Sequence, residues 1–180
     1  IDLSSIGKKT YVIDVYRNPI ERKISSFFQN IDMFVPDWKS KTNEELINIF
    51  NERHIYKLEE YHSINEAFDY FNLPRFKEFD FQKKFNIFEH KNKVFIKLLH
   101  KNINIWNFIL RYIFNRVFII RNNNLSIQKD YYKTYQNFLL LYKVPKKYLN
   151  KLKTKDKEFR IYNSPNEQKE YLKYWSERSI

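Results

Sequence analysis

The N-terminal part of the chain brings together side chains that could hold a phosphate group. A short apolar run ends at Arg17, Asn18 and Pro19 follow directly, and Ser25 comes eight residues after the arginine. A guanidinium group forms paired, charge-assisted hydrogen bonds with phosphate oxygens, and a serine hydroxyl can donate another. If a strand, a turn and a helix place both side chains at the opening of a common pocket, this segment predicts an anion-binding site.

The local pattern predicts the elements that would position these side chains. Residues 11–16 are apolar enough for a short buried strand. Asn18 suits a helix N-cap, and Pro19 suits the first helical position. Helical spacing of apolar residues then continues through Ile20, Ile24, Phe27, Phe28 and Ile31. On this helix Ser25 is expected beside the apolar stripe, and Arg22 is expected to point away from it.

The rest of the chain predicts an α/β fold weighted towards helix. Capping boxes that begin at Thr42 and Ser63 predict helices to about residues 61 and 71. A turn at Lys91 and Asn92 predicts a pair of strands on either side of it. In full, we expect strands over residues 84–90, 93–100 and 116–121, and further helices over residues 104–114, 126–143, 146–153 and 164–175.

Composition limits the classes of protein to consider. The 180 residues are 43% hydrophobic and 19% aromatic, which excludes general disorder and suits a single domain over residues 1–180. The chain has no cysteine, so disulfides and cysteine metal sites are excluded, and we expect a cytoplasmic protein. A net charge of +12 favours anionic partners. Polar residues interrupt the longest apolar stretch, residues 103–120, so we expect no membrane insertion.

Residues 17–28 resemble the 3′-phosphate-binding motif of sulfotransferases, which use 3′-phosphoadenosine 5′-phosphosulfate as the sulfate donor. In that motif a strand ends in arginine, asparagine or aspartate and then proline follow, and a serine stands eight residues after the arginine. Arg17, Pro19 and Ser25 match this pattern in type and spacing. The carbohydrate-sulfotransferase version of the motif is also matched by Glu21, Arg22 and Phe28.

Weaker similarity to the capsular-polysaccharide sulfotransferase branch extends along the chain. Residues 79–84 and 94–99 resemble one of its segments, and Trp106 stands where that branch has a tryptophan. Leu99 and Asn102 occupy the positions where an arginine and an acidic residue would be expected. Parts of residues 130–175 resemble the C-terminal half of the same branch.

The resemblance implies a parallel sheet flanked by helices, related to the P-loop kinases. It implies that Arg17, Ser25 and Arg22 bind the nucleotide donor and that no metal is needed. The family's 5′-phosphosulfate loop and its usual Glu or His base lie upstream of the matching strand. Residues 5–10 contain one glycine and lead into a strand, so they do not match a phosphate loop. We therefore expect a chain that lacks the N-terminal donor-binding part, and the catalytic base stays unassigned.

Each of these residues also has a structural interpretation. Arg17 could pair with Asp14 or Glu21, Ser25 could be an ordinary helix-surface serine, and Arg22 could be solvated. The four histidines are expected in structural or surface roles, with His54 and His62 as the ones to test for acceptor contacts. Among the tryptophans, Trp38 is the candidate for stacking on a ligand, whereas core positions are expected for Trp106 and Trp175.

The sequence therefore predicts transfer of a sulfuryl group from 3′-phosphoadenosine 5′-phosphosulfate to a hydroxyl of a carbohydrate-type acceptor, as in polysaccharide sulfation. The alternative is a non-catalytic basic module that binds nucleic acid or another polyanion, because many lysines and aromatics suit phosphate contacts and base stacking. A third possibility is a member of the same fold that has lost its activity, to which Leu99 and Asn102 point.

Overall fold

The structure, a computed structural model, describes residues 9–56, 64–120 and 126–180. Its strands are β1 (Thr10–Tyr16), β2 (Phe85–His90) and β3 (Lys93–Leu99). Its helices are α1 (Pro19–Gln29), α2 (Ile31–Phe34), α3 (Asn43–Arg53), α4 (Ile64–Tyr70), α5 (Trp106–Phe114), α6 (Tyr132–Leu141), α7 (Lys146–Lys155), α8 (Lys157–Tyr162) and α9 (Pro165–Glu177). The predicted α/β class, weighted towards helix, is therefore confirmed.

The chain divides into two compact units. The first, called here the sheet unit, comprises Ile1–Arg17 and Glu60–Ile120. The second, the helical unit, comprises Asn18–Glu59 and Arg121–Ile180. The division falls between Arg17 and Asn18, inside the motif that the sequence singles out. The interpretation of residues 1–180 as a single sulfotransferase-like domain stays a prediction.

The sheet unit contains a mixed sheet in the order β1-β3-β2. β1 pairs parallel with β3, from Thr10 opposite Lys93 to Tyr16 opposite Leu99. β2 and β3 form the predicted antiparallel pair, joined at Lys91 and Asn92. The three described strands therefore depart from the parallel sheet that the family resemblance implies, because a tight turn can connect only antiparallel neighbours.

Helices cover both faces of this sheet. One face packs Val94, Ile96 and Leu98 of β3 against Ile109 and Leu110 of α5. The opposite face packs Phe95 of β3 against α4, through the buried side chains of Ile64 and Phe68. Alternate residues of β3 therefore face different helices, and all seven are buried, as expected for a central strand with two covered faces.

A buried ion pair links the two parallel strands on the α4 face. Lys97 is fully buried, and its Nζ lies 2.6 Å from Oδ2 of Asp14, its register partner on β1. The same carboxylate oxygen accepts a hydrogen bond from the backbone N–H of Ile64, at 2.9 Å, where α4 begins. Asp14 therefore holds both a cation and the start of a helix, and this environment lets a lysine occupy the interior.

The helical unit has an aromatic core. Phe138 of α6 contacts the rings of Phe27, Phe28 and Phe50, at centroid distances of 5.1 to 6.2 Å, and stacks on Tyr142 at 5.3 Å. All five side chains are at most 1% exposed. Rings of this size supply much apolar surface with few rotatable bonds, which suits a unit built from short helices.

Polar contacts fix the ends of α1 and α9 in this unit. Tyr171 of α9 accepts a hydrogen bond at its hydroxyl from the backbone N–H of Ile20 and donates one to Glu21, at 3.3 and 2.7 Å. Ser164 and Glu167 form a complete capping box at the start of α9, where the sequence predicts the start of a helix. The capping box at Thr42 is also present. The one predicted at Ser63 lies outside the described residues.

Two predicted helices have different limits in the structure. α3 ends at Arg53, well before residue 61, because His54 packs against the rings of Phe27 and Phe34 and Ile55 is fully buried. α6 begins at Tyr132 rather than near Ser126, after a 3₁₀ turn at Ser126–Gln128. Tertiary burial overrides the local helical pattern in the first case.

The predicted strand at residues 116–121 does not form in its described part, residues 116–120. Its side chains do alternate, since Phe118 and Ile120 pack on the α5 face whereas Val117 and Ile119 are exposed. The backbone N–H of Ile120 donates to Oδ1 of Asn107 instead of to a strand partner. The alternating burial of these side chains therefore reflects packing against a helix and not pairing in a sheet.

Candidate anion-binding sites

Arg17 stands at the carboxyl end of the parallel strand pair. β1 ends at Tyr16, and α1 begins at Pro19, so the predicted strand, turn and helix are confirmed. Asn18 occupies the N-cap position, although its side chain forms no capping hydrogen bond. In α/β proteins the carboxyl ends of parallel strands commonly line the ligand site.

His100 is the neighbour of Arg17 at this edge. Tyr16 lies opposite Leu99 in the parallel register, so the next residue on each strand, Arg17 and His100, leaves the sheet at the same end. Burial lowers the pKa of His100 below its ordinary value, and the positive charge of Arg17 lowers it further. His100 is therefore mainly neutral at pH 7 and can accept a proton.

The guanidinium of Arg17 is half-buried. It forms no hydrogen bond or ion pair with any residue of the sheet unit that the structure describes. Asp14, one of its two suggested partners, binds Lys97 and the Ile64 amide. Glu21, the other, accepts from Tyr171 within the helical unit. The charge of Arg17 is thus presented at a strand end where an anionic ligand would encounter it.

Arg22 and Ser25, the other predicted donor-binding residues, lie on α1 in the helical unit. Both are half-buried, and their three-residue spacing places them on neighbouring positions of one helix side. The structure therefore brings Arg22 and Ser25 together on one helix, and Arg17 belongs to the sheet unit. The assignment of all three residues to the nucleotide donor stays a prediction.

Arg22 lines a cavity of about 390 Å³ within the helical unit, called here the basic pocket. Ser25 is not among its lining residues. The lining is formed by Arg22, Lys23, Ile55, Tyr56, Tyr148, Lys151, Leu152, Lys155, Asp156, Lys157 and Glu158. Five cationic side chains thus face two carboxylates around a space large enough for a small ligand. No pattern in the sequence indicates this pocket, because its walls come from segments far apart along the chain.

Leu99 directly precedes His100, and Asn102 lies in the 3₁₀ segment His100–Ile105. Leu99 is buried, and its carbonyl accepts a hydrogen bond from Nε1 of Trp106 at 3.0 Å. The Trp106 ring meets the His100 ring edge-on, with centroids 6.5 Å apart. Sequence reasoning missed His100 as a site residue, because its proximity to Arg17 follows from the parallel register and not from a local motif.

The other residues considered from sequence have mainly structural positions. His54 packs among aromatic rings, and His62 lies outside the described residues. Trp38, the candidate for stacking on a ligand, is only 4% exposed and donates from Nε1 to Asp32, so it has a core position instead. Trp175 is buried in the aromatic core, as predicted.

The described residues contain neither a metal-binding cluster nor a membrane-spanning helix. Among residues 9–56, 64–120 and 126–180, no three histidine, aspartate or glutamate side chains gather as a metal site would require. Within the same ranges, no helix has both the length and the apolar character needed to cross a bilayer.

Comparison with known proteins gives no relative from which a function could be transferred. No protein-family model, no curated protein and no solved structure matches this chain. The functional interpretation therefore depends on the residues and geometry described above.

Proposed function

We propose that this chain is a sulfotransferase-like protein that binds 3′-phosphoadenosine 5′-phosphosulfate and transfers its sulfuryl group to a hydroxyl of a carbohydrate-type acceptor. The observation that carries the proposal is the position of Arg17. It directly follows a strand that pairs in parallel, it precedes an Asn-Pro helix start, and its guanidinium has no partner among the described residues of its unit.

A guanidinium in this position fits a phosphate group. It can donate two parallel hydrogen bonds to phosphate oxygens, and a phosphate would supply the negative charge that its surroundings lack. The resemblance implies that Ser25 holds the 3′-phosphate with Arg17 and that Arg22 also binds the donor, and a hydroxyl and a second cation suit these roles. A P-loop-kinase-like arrangement of the whole fold is part of this proposal, supported by the parallel β1–β3 pair.

His100 supplies a proton acceptor beside Arg17. Sulfuryl transfer forms a bond between sulfur and the acceptor oxygen, breaks the bond from sulfur to the 5′-phosphate oxygen, and releases the proton of the acceptor hydroxyl. A neutral imidazole can take up that proton, and the lowered pKa of His100 keeps it neutral at physiological pH. The donor supplies the activated sulfuryl group, and the residues of the chain supply position and charge.

Calorimetry with adenosine 3′,5′-bisphosphate, the product nucleotide, tests the proposal. We expect binding that Arg17→Ala weakens about 10- to 100-fold, since charged hydrogen bonds contribute about 1.5–3 kcal/mol each. Arg17→Lys should restore only part of the affinity, because an ammonium lacks the planar fork. Arg111→Ala is the matched control, since Arg111 is an exposed arginine of the same unit on α5.

Two outcomes would contradict the proposal. One is no detectable nucleotide binding, and the other is binding that Arg17→Ala and Arg111→Ala weaken equally. Steeply salt-dependent binding of an oligonucleotide, without binding of the nucleotide, would favour the basic polyanion-binding module instead.

A further inference from the structure

We propose that the basic pocket of the helical unit binds a ring compound that carries at least two phosphate or sulfate esters. The proposal does not depend on sulfuryl transfer, because every residue that lines the pocket lies outside the sheet unit and none of them is Arg17. The two sources of this chemistry are a phosphorylated nucleoside and a sulfated saccharide.

The charges of the pocket come from two directions. Arg22 and Lys23 enter from α1, whereas Lys151 and Lys155 enter from α7, with Lys157 following at the start of α8. Lys151 and Lys155 are four residues apart, so they lie on the same side of α7. Cations contributed by separate segments can contact different oxyanions, which is why we favour a ligand with at least two such groups.

The acidic residues of the pocket reduce its positive charge only in part. Oδ1 of Asp156 accepts the backbone N–H of Phe159 at 2.8 Å and so caps α8. The ammonium groups of Lys151, Lys155 and Lys157 form no hydrogen bond or ion pair with any residue that the structure describes. Lys23 is only 8% exposed and still lines the cavity.

The remaining lining residues suit the ring of such a ligand. Ile55 and Leu152 are buried and form an apolar part of the wall. The rings of Tyr56 and Tyr148 meet edge-on, with centroids 6.0 Å apart, and offer aromatic surface. A base or the apolar face of a sugar can pack on such a wall while its esters contact the lysines. The volume of about 390 Å³ accommodates a mononucleotide or a disaccharide.

Binding measurements with three probes test the proposal: a trisulfated heparin disaccharide, adenosine 3′,5′-bisphosphate and the uncharged disaccharide lactose. We expect the lysine double variant Lys151→Ala, Lys155→Ala to lose about tenfold or more in affinity for one of the charged probes. The probe affected identifies the source, and lactose should not bind. The matched control is Lys147→Ala, Lys153→Ala, which removes the same charge from α7 outside the pocket.

A labelling experiment places the ligand directly. The bound probe should protect Lys151 and Lys155 from chemical acetylation, read by mass spectrometry, and leave Lys147 and Lys153 reactive. Equal affinity losses in the two double variants, or protection of the control pair alone, would overturn the proposal. So would the failure of both charged probes to bind. Nucleotide binding that depends on Lys151 and Lys155 but not on Arg17 would overturn the donor site and leave this inference standing.

Discussion

The two units of this protein place buried lysines in contrasting environments. In the sheet unit Lys97 is fully buried on the central strand, and its charge is neutralised by Asp14 at 2.6 Å. In the helical unit Lys23 is nearly as buried, yet it lines a cavity together with four other cations. One lysine holds strands together, whereas the other contributes to a charged cavity.

This contrast shows why the net charge of +12 does not by itself identify a binding site. A cation that a carboxylate already neutralises offers little to an incoming anion, however deeply it is buried. Lys151, Lys155 and Lys157 line open space without an ion pair to any residue that the structure describes, so they retain their field, and the low dielectric of the surrounding wall strengthens it. Position relative to acids and to open space therefore separates structural lysines from candidate binding lysines.

The largest expected effect comes from removing the structural lysine. Lys97→Met should reduce the free energy of unfolding by about 3–5 kcal/mol, because it leaves the Asp14 carboxylate mostly buried without its cation. Urea denaturation followed by circular dichroism measures this loss.

The double variant Lys97→Met, Asp14→Asn should recover part of that stability. Asparagine removes the unpaired charge and keeps an oxygen that can accept the Ile64 amide. Lys77→Ala is the control, since this exposed lysine of the sheet unit should change stability by less than about 0.5 kcal/mol. A double variant as unstable as Lys97→Met would show that packing, and not the unpaired charge, causes the loss.

Local sequence signals predicted a large part of the fold. The structure confirms the features that depend on residues close together in sequence: the strand before Arg17, the helix start at Pro19, the β2–β3 turn and the capping box at Thr42. The early end of α3 depends on burial of His54 and Ile55 instead. α8 was missed because its signal, the Asp156 cap, lies between two lysines and opens a helix of only six residues.

The candidate sites were predictable only where one segment carries them. Arg17 was identified because its strand, turn and helix are contiguous. His100 could not be placed beside it, since that requires the register between β1 and β3. Arg22 was predicted for the donor site, but its surroundings in the basic pocket depend on α7, which is distant in sequence. A local sequence pattern does not show which distant segments of the chain come together in the fold.

A smaller loss of stability is expected in the aromatic core of the helical unit. The buried polar group there is the uncharged hydroxyl of Tyr142, whereas in the sheet unit it is the charged Lys97. Oη of Tyr142 donates to Oδ1 of Asn51 at 3.0 Å. Tyr142→Phe should therefore cost about 0.5–1.5 kcal/mol at neutral pH, the usual contribution of such a hydrogen bond. Tyr132→Phe, at the start of α6, is the control and should be nearly neutral. Equal losses in the two variants would contradict a specific role for the Tyr142 hydroxyl.

Denaturation at alkaline pH gives a second comparison of the wild type with Tyr142→Phe. Burial raises the pKa of Tyr142, and the nearby Tyr148 and Tyr56 raise it further. The folded chain therefore keeps the proton where the unfolded chain loses it, above a pKa of about 10. The contribution of the protonated Tyr142 to the free energy of unfolding is fully present below about pH 10 and is lost as the pH rises further. Tyr142→Phe should decline less steeply than the wild type in urea denaturation above pH 10.

The smallest expected effect is the change in the His100 pKa when the charge of Arg17 is removed. This change distinguishes the local field of Arg17 from the general positive charge of the chain. Arg17→Ala should raise the pKa of His100 towards its ordinary value, but only in part, because burial is the larger cause of the lowered pKa. Arg111→Ala, which removes an equal charge elsewhere in the sheet unit, should leave that pKa unchanged. An NMR titration of the imidazole protons measures both variants.

The same titration with a bound ligand tests whether a phosphate binds at Arg17. The folded state of the wild type binds the His100 proton less readily than the unfolded state, so stability falls as the pH drops below about 6.5. A phosphate held by Arg17 would offset its charge, so adenosine 3′,5′-bisphosphate should raise the His100 pKa in the wild type and not in Arg17→Ala. An equal rise in both proteins would mean that the nucleotide acts from another position, with the basic pocket as the first place to look.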